Sequence, residues 1–537
     1  MSSSGVLSVR ALKHAPLASS GAADERLLCA FSTLISLLAL LGFLLHGSLL
    51  LYGDAVAHIN IARHLFDSRT PGLFELGTVW LPLPHLLQAP FIVNNWLWRT
   101  GLGASLPSMA AYALGTLAIF RLLRGFASRA AAWAGALAYA LNPNLMYMQA
   151  TAMTEVLYLA LFLWAVLFFC KAAASGISDA ESSRRSIERC ALAISAAMLV
   201  RYDGWFLAGC VWFALLILLW RFKFHRIIFK AALRLVLLTG LTGCLWLAYN
   251  HGAYNNALEF ANGPYSARAI AARSRSAGMP SDPGEKNPAV AALYFLKAAR
   301  MNLGEGRADL LLLAATCLAL PTAILISRRH LPLALLWTPL LFYAVSIAWG
   351  HVPVYLPAWW PFSYYNVRYG LQLLPAVAVF LGLSCEILSR WVRPRIALPL
   401  VAVLIALSYG GVWQKKPICL REAEANGTDR LLFDHSLAAQ LRKLPDSATV
   451  MMYCGSHSGA IQDAGIPFRR VLREGNHPAW DIALTEPAKA ADSIVAIEGD
   501  PIALAVRLFP EGLRVSTVIA KPGAPRAVIY SSAIRAH

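Results

Sequence analysis

Long apolar segments recur along the chain and restrict what it can fold into. A helix needs roughly 17–25 predominantly apolar residues to cross the hydrocarbon core of a bilayer. About eleven candidate segments are present: 28–51, 106–123, 130–149, 154–171, 190–201, 204–220, 235–250, 309–327, 332–349, 371–389 and 396–413. Only 14% of the 537 residues are charged, against about 25% in ordinary soluble proteins. The sequence therefore predicts an α-helical polytopic membrane protein.

The positive charges indicate how the chain is oriented in the membrane. Most of the lysines and arginines behind the net charge of +18 lie in short connections between apolar segments. Five such connections contain Arg121, Arg124 and Arg129; Lys171, Arg184, Arg185 and Arg189; Arg221, Lys223, Arg226, Lys230 and Arg234; Arg328 and Arg329; and Arg390, Arg393 and Arg395. Placing all five in the cytoplasm satisfies the positive-inside rule. The charge therefore reports topology, and we predict no nucleic-acid partner.

This topology predicts three regions of the chain in a bacterial-type plasma (inner) membrane. Residues 1–27 form a disordered cytoplasmic N-terminus, and the first span is an uncleaved helix because no signal-peptide cleavage pattern precedes it. Residues 28–413 form the transmembrane domain, with long outside loops at 52–105, 251–308 and 350–370. Residues 414–537 form a small extracytoplasmic α/β domain, with a helix at 431–444 and strands at 449–454, 493–499, 515–521 and 527–532.

Two cysteines follow the last predicted span. Cys419 and Cys454 would both lie outside, where an oxidising compartment permits a disulfide. Spacing alone does not show whether the two thiols meet, so the sequence leaves this pairing open.

Charged residues at membrane depth are costly, and functional roles are the first hypothesis for them. The candidates at the outside ends of the spans are Asp54 with His58, Glu155, Arg201 with Asp203, and Arg368 beside Tyr369. They come from distant parts of the chain, yet the predicted topology puts them all near the outer face. We therefore expect them to line one cavity.

Asp54 and His58 lie in the stretch LYGDAVAHINIARH, which interrupts an apolar region. Four positions apart, they project from the same face of a helix. The carboxylate can orient the imidazole, or the two can hold a metal or position an acceptor hydroxyl. The structural alternative is that Asp54 caps an interfacial helix.

The other candidates also have structural alternatives. Glu155 begins an apolar helix, where the helix dipole favours an anion. Arg201 and Asp203 can form a hairpin ion pair, and Arg368 can extend to the interface, although an arginine also binds phosphate through two parallel hydrogen bonds. His85, between prolines of the first outside loop, is a candidate substrate contact or a structural histidine.

The order of these segments resembles the GT-C superfamily of polytopic glycosyltransferases, especially its protein O-mannosyltransferase and aminoarabinose-transferase branch. The resemblance covers roughly residues 28–413. Four segments carry it: YGDAVAHINIARHL after the first span, WLPLPHLL followed by LPSMAAYALGTLAIFRLLR, NPNLMYMQATAMTEVLYLALFLWAV, and VRYGLQLLPAVAVFLGL.

The resemblance implies a polyprenyl-phosphate sugar as donor and an essential acid in the first outside loop. Asp54 would then be the base or acceptor-positioning carboxylate, and Arg201 and Arg368 would hold the donor phosphate. Many members have two adjacent acids in this loop, but Ala55 follows Asp54 here. His58 or Glu155 is therefore the possible partner, and the need for a divalent metal stays open.

The predicted function is thus an inverting glycosyltransferase of the cell envelope, hexosyl or pentosyl, acting at the extracytoplasmic face on a protein, lipid or glycan acceptor. Two alternatives compete with it. A flippase or transporter for lipid-linked glycans would also place charges within the membrane, although such proteins often show internal repeats. A noncatalytic envelope assembly protein would not need these acids and arginines for turnover.

Overall fold

The computed structural model describes residues 21–278, 280–391, 394–520 and 524–535. Most of the predicted disordered N-terminus, residues 1–20, lies outside the described residues. The first helix begins at Ala22. Its first turn is anchored to the bundle, because Asp24 and Glu25 pair with Arg129 and Arg121.

Within the described residues, nine helical segments are long and apolar enough to cross a membrane. They are Ala22–Leu45, Leu102–Arg124, Glu155–Ser175, Asp203–Arg221, Arg226–Tyr254, Ala308–Ile326, Arg328–Trp349, Val367–Arg390 and Ile396–Leu441. The predicted polytopic helical architecture is confirmed, and the protein is a multi-pass membrane protein.

Two of the predicted spans are not among these nine segments. The segment 130–149 divides into Arg129–Ala140 and Pro143–Gln149. Pro143 lacks a backbone donor, and the Asn142 side chain instead accepts the first N–H groups of the second helix. The segment 190–201 is mostly the second half of the helix Ala180–Met198, whose first half is polar and charged.

Shorter elements connect the spans. The α-helices are Gly53–His64, Leu83–Gln88, Asn95–Thr100, Glu259–Asn262, Ala267–Ser276 and Pro288–Leu303. The 3-10 segments are Leu73–Leu76, Ala89–Phe91, Arg328–Trp337 before the helix Thr338–Trp349, and Val367–Leu373 before Leu374–Trp391. The last two long helices are Pro394–Gln414 and Ile418–Leu441.

The C-terminal part contains a five-stranded mixed sheet, as the predicted small α/β domain requires. Its strands are β1 (Val450–Met452), β2 (Val471–Leu472), β3 (Ser493–Ile497), β4 (Leu513–Ile519) and β5 (Ala527–Ser532), in the order β2-β1-β3-β5-β4. β1 pairs in parallel with β2 and β3, and β5 is antiparallel to β3 and β4. The helices Ser458–Ala464, Ala479–Thr485, Pro487–Ala490 and Pro501–Leu508 complete the domain.

The helix Ile418–Leu441 joins this domain to the membrane bundle and fixes the start of the first outside loop. A Cβ atom at Gly427 would lie 1.9 Å from the Leu51 carbonyl oxygen, so only glycine permits this approach. Arg430 Nη2 donates a hydrogen bond to the Leu50 carbonyl at 2.7 Å. On the helix Gly53–His64, Asn60 donates to Gln462 of the C-terminal domain at 3.1 Å. These contacts hold Asp54 in place from both sides.

Candidate active site

Asp54 forms an ion pair and does not cap its helix. The helix Gly53–His64 has Tyr52 at its N-cap position, without a capping hydrogen bond from a side chain. The Asp54 carboxylate instead accepts a hydrogen bond from Arg368 Nη2 at 2.6 Å. The two residues are 314 positions apart, so the contact is produced entirely by the tertiary fold.

Arg368 is surrounded by carboxylates and is buried. Its Nε donates to Glu155 at 3.2 Å, and its Nη1 donates to Glu422 at 3.1 Å. The backbone N–H of Arg368 donates to the second oxygen of Glu422 at 3.1 Å. Only 8% of the Arg368 side chain is exposed, so it does not extend to the membrane interface.

Arg201 forms the second cationic centre of the site. Its Nη1 donates to Glu155 at 3.1 Å, and its Nε lies 3.4 Å from Asp203. The hairpin ion pair that the sequence allows between Arg201 and Asp203 is therefore present, and Asp203 also accepts a hydrogen bond from the Tyr343 hydroxyl at 2.8 Å. The Tyr369 ring lies 5.0 Å from the guanidinium of Arg201 and 5.2 Å from that of Arg368.

The cluster opens into a cavity of about 2170 Å³. Asp54, His58, Glu155, Arg201, Asp203, Arg368 and Tyr369 all line it. The expectation that distant candidates share one cavity therefore agrees with the geometry. The C-terminal domain also contributes to the lining, with Tyr453, Arg473, Glu474 and Trp480.

Exposure distinguishes the carboxylates of the cluster. The Asp54 side chain is 41% exposed, whereas the side chains of Glu155 and Glu422 are each 1% exposed. A carboxylate that is reachable from the cavity can accept a proton from a bound molecule. Enclosed carboxylates serve mainly as fixed counter-charges, because removing them leaves a buried cation unpaired.

His58 pairs with His85. Its Nδ1 lies 2.9 Å from Nε2 of His85, and no hydrogen bond joins it to Asp54 within the described residues. Burial, and then the charges of Arg201 and Arg368, lower the pKa of His58 to about 3. The pKa of His85 is also lowered, chiefly by burial. His85 is fully buried, and its hydrogen-bond partner His58 lines the cavity.

Sequence reasoning missed Glu422 and Tyr343. Glu422 follows the last predicted span and was counted with the soluble domain, but the helix Ile418–Leu441 returns it to the arginine cluster. The Tyr52 hydroxyl, which donates to Glu422 at 3.1 Å, joins the same network. An acid beside a long apolar segment, in ICLREAEANG, was the available signal.

The described residues contain no group of three or more His, Cys, Asp or Glu side chains arranged to hold a metal ion. Cys419 and Cys454 are both buried free thiols. Cys419 Sγ contacts the Asn302 side chain at 3.2 Å, so the disulfide that the sequence left open is not formed.

Comparison with solved structures identifies the fold. The chain matches ArnT from Cupriavidus metallidurans bound to undecaprenyl phosphate with a TM-score of 0.62 and 14% identity, covering 95% of this chain and 98% of that one. The apo form of the same protein gives 0.58 and 14%, covering 96% and 99%. Archaeal oligosaccharyltransferase AglB from Archaeoglobus fulgidus, in complex with an inhibitory peptide and a dolichol-phosphate, gives 0.51 and 12%, covering 94% and 74%.

No protein-family model and no curated protein sequence matches the chain. The structural matches extend over nearly the whole chain, including the C-terminal domain. They confirm the suspected resemblance: the protein has the fold of the GT-C membrane glycosyltransferases.

Proposed function

We propose that the protein is a glycosyltransferase that uses a polyprenyl-phosphate-linked sugar at the extracytoplasmic face of the plasma membrane. The observation that carries the proposal is the contact between the cavity-exposed Asp54 and the buried Arg368. In this proposal Asp54 is the proton acceptor and Arg368 binds the phosphate, so the two roles fall to neighbouring side chains. The shared fold adds support, because the matched ArnT and AglB structures hold undecaprenyl phosphate and dolichol-phosphate.

The charge balance suggests how the donor enters. Two arginines face four carboxylates, those of Asp54, Glu155, Asp203 and Glu422. An incoming phosphate must therefore replace a carboxylate on Arg368. Asp54 is the one to leave, because the other two carboxylates on this guanidinium are enclosed. Donor binding thus frees Asp54 for the acceptor.

The transfer is a single displacement. The acceptor hydroxyl attacks the anomeric carbon from the side opposite the phosphate, and Asp54 takes its proton. The bond between the anomeric carbon and the phosphate oxygen breaks, and its electron pair stays on the phosphate. Arg201 and Arg368 stabilise this charge as it develops. The products are the glycosylated acceptor, with inverted configuration, and the polyprenyl phosphate.

The sequence-derived topology places the cavity outside the cell. The basic connections would face the cytoplasm, as would the N-terminus, and the C-terminal domain would close the cavity from the extracytoplasmic side. The acceptor enters between this domain and the membrane bundle. Its class, whether protein, lipid or glycan, and the type of sugar are left to experiment.

The purified full-length protein is the material for the test. It is incubated with a panel of polyprenyl-phosphate hexoses and pentoses, and release of polyprenyl phosphate is measured. We expect at least one donor to be consumed, with release abolished in the Arg368→Ala variant. If wild-type protein consumes none of them but moves them across a vesicle membrane, the flippase alternative replaces this proposal.

A further inference from the structure

Two buried histidines lie beside the arginine cluster, and the transfer described above does not use them. His58 belongs to the helix Gly53–His64, one turn after Asp54, and His85 belongs to the helix Leu83–Gln88. Their side chains are joined between Nδ1 of His58 and Nε2 of His85. The Trp80 ring packs against His58, with centroids 4.9 Å apart.

The second histidine is held rigidly. The backbone N–H of Leu83 donates to the carbonyl of Leu199 at 3.0 Å, which connects its helix to the turn before Arg201. At the other end of this helix, Gln88 Nε2 donates to the Ala152 carbonyl at 3.2 Å. His85 is therefore fixed relative to the same segments that position Glu155 and Arg201.

The hydrogen bond between the rings determines where their protons lie. One ring must donate and the other must accept, and burial keeps both rings neutral. His85 Nδ1 is buried and has no partner within the described residues. A proton there would be an orphaned buried donor, which is rarer in proteins than an orphaned acceptor. His85 therefore carries its proton on Nε2 and donates it to His58 Nδ1.

This arrangement leaves the single proton of His58 on Nε2. That atom has no hydrogen-bond partner in the described chain, yet it is not among the enclosed polar atoms without partners. Because His58 lines the cavity, Nε2–H is a donor at the cavity surface. Arg201 and Arg368 line the same cavity, so the donor borders the same space as the two guanidinium groups.

We propose that His58 Nε2–H donates a hydrogen bond to a phosphate oxygen of the polyprenyl-phosphate donor, and that His85 is the positioning residue that fixes its tautomer. This inference rests on the proposed function. A neutral donor suits the place, because a third cation would be repelled by Arg201 and Arg368. It adds a hydrogen bond to the phosphate without adding charge.

Binding of undecaprenyl phosphate to the full-length protein in lipid nanodiscs tests the inference. His58→Phe keeps a ring but removes the donor, and we expect affinity to fall by about 10-fold to 100-fold, as for a lost hydrogen bond to a charged group. His58→Gln restores an N–H near the Nε2 position and should stay within about fivefold of wild type, a loss no larger than that of one typical neutral hydrogen bond. Inorganic phosphate at the same concentration should not compete, because the lipid supplies part of the binding.

The control is His330→Phe, which replaces another buried histidine that does not line the cavity. It should bind undecaprenyl phosphate as wild type does. Ring ¹⁵N chemical shifts of labelled histidine report the tautomer separately from binding. We expect the Nε2–H form for His58 in wild type and a mixture of both tautomers in His85→Phe.

Several results would overturn the inference. Equal affinity of His58→Phe and wild type refutes the phosphate contact, and so does a variant that loses turnover but not undecaprenyl phosphate binding. A proton on Nδ1 of His58 refutes the role of His85. If wild-type protein neither binds undecaprenyl phosphate nor consumes any donor, the proposed function and the phosphate contact both fail. The NMR measurement still decides the tautomer in that case.

Discussion

Replacing Asp54 by Asn should lower the rate of turnover by at least about 100-fold and leave the fold intact. Asp54 is 41% exposed, and its loss leaves Arg368 with the two enclosed carboxylates of Glu155 and Glu422. Exposed ion pairs contribute about 0–1 kcal/mol to stability. We therefore expect the melting temperature of the variant to lie close to that of wild type.

The same substitution should have opposite effects on donor binding and on chemistry. Asp54 and the phosphate compete for Nη2 of Arg368, so undecaprenyl phosphate should bind equally or more tightly to Asp54→Asn. Loss of a general base lowers the rate by about 10²–10⁴-fold. This corresponds to about 3–5 kcal/mol of activation free energy.

The assay combines thermal unfolding, undecaprenyl phosphate binding and donor turnover on the same purified preparations. Glu424→Gln is a matched control, because Glu424 pairs with Lys416 at 2.9 Å and does not line the cavity. It should leave all three measurements unchanged. Full turnover in a folded Asp54→Asn protein would refute the base assignment. A parallel loss of binding and turnover would refute the competition between Asp54 and phosphate.

Three further predictions concern buried groups. Arg368→Met leaves the buried Glu422 carboxylate without its cation and should lower the free energy of unfolding by about 3–5 kcal/mol. Adding Glu422→Gln to this variant should recover part of the lost melting temperature. No recovery would contradict the ion pair. Tyr343→Phe removes the hydroxyl between Asp203 and Arg201 and should lower stability by about 1–3 kcal/mol in thermal unfolding, whereas unchanged stability would mean that water replaces it. The pKa of His58 in the folded protein is about 3, below its usual 6.5. Between these pH values the unfolded chain binds more protons than the folded protein. The contribution of His58 to the free energy of unfolding is therefore fully present above pH 6.5 and is lost as the pH is lowered. Between pH 8.0 and pH 5.0 this costs about 2 kcal/mol, and the drop in melting temperature should be smaller in His58→Gln.

Much of the architecture could be predicted from local sequence patterns. The length of an apolar segment reports whether it spans a bilayer, and alternation of β-branched residues reports a strand. Four of the five strands were predicted close to their observed positions. The exception, Val471–Leu472, has only two residues and is too short for any alternating pattern. Two predicted spans are not among the nine long apolar helices of the described residues, because Pro143 divides one apolar segment and charged residues fill half of another helix.

The candidate site could be predicted only as a set of residues near one face. Asp54, Glu155, Arg201 and Arg368 stood out because charge at membrane depth is costly. The orienting role expected between Asp54 and His58 followed from helical spacing, but each side chain has a different partner in the folded protein. Helical spacing places two side chains on one face and does not determine what packs against that face.

The sequence by itself determined the polytopic helical class, the presence of a small C-terminal α/β domain and the acids and arginines available for chemistry, because these depend on composition and local periodicity. Only the tertiary structure decided that Arg368 binds Asp54, Glu155 and Glu422. It also decided that His85 forms a hydrogen bond with His58 and that the C-terminal domain lines part of the cavity. The physical reason is separation along the chain. Asp54 and Glu422 approach Arg368 from 314 and 54 residues away, and helix packing alone brings them together.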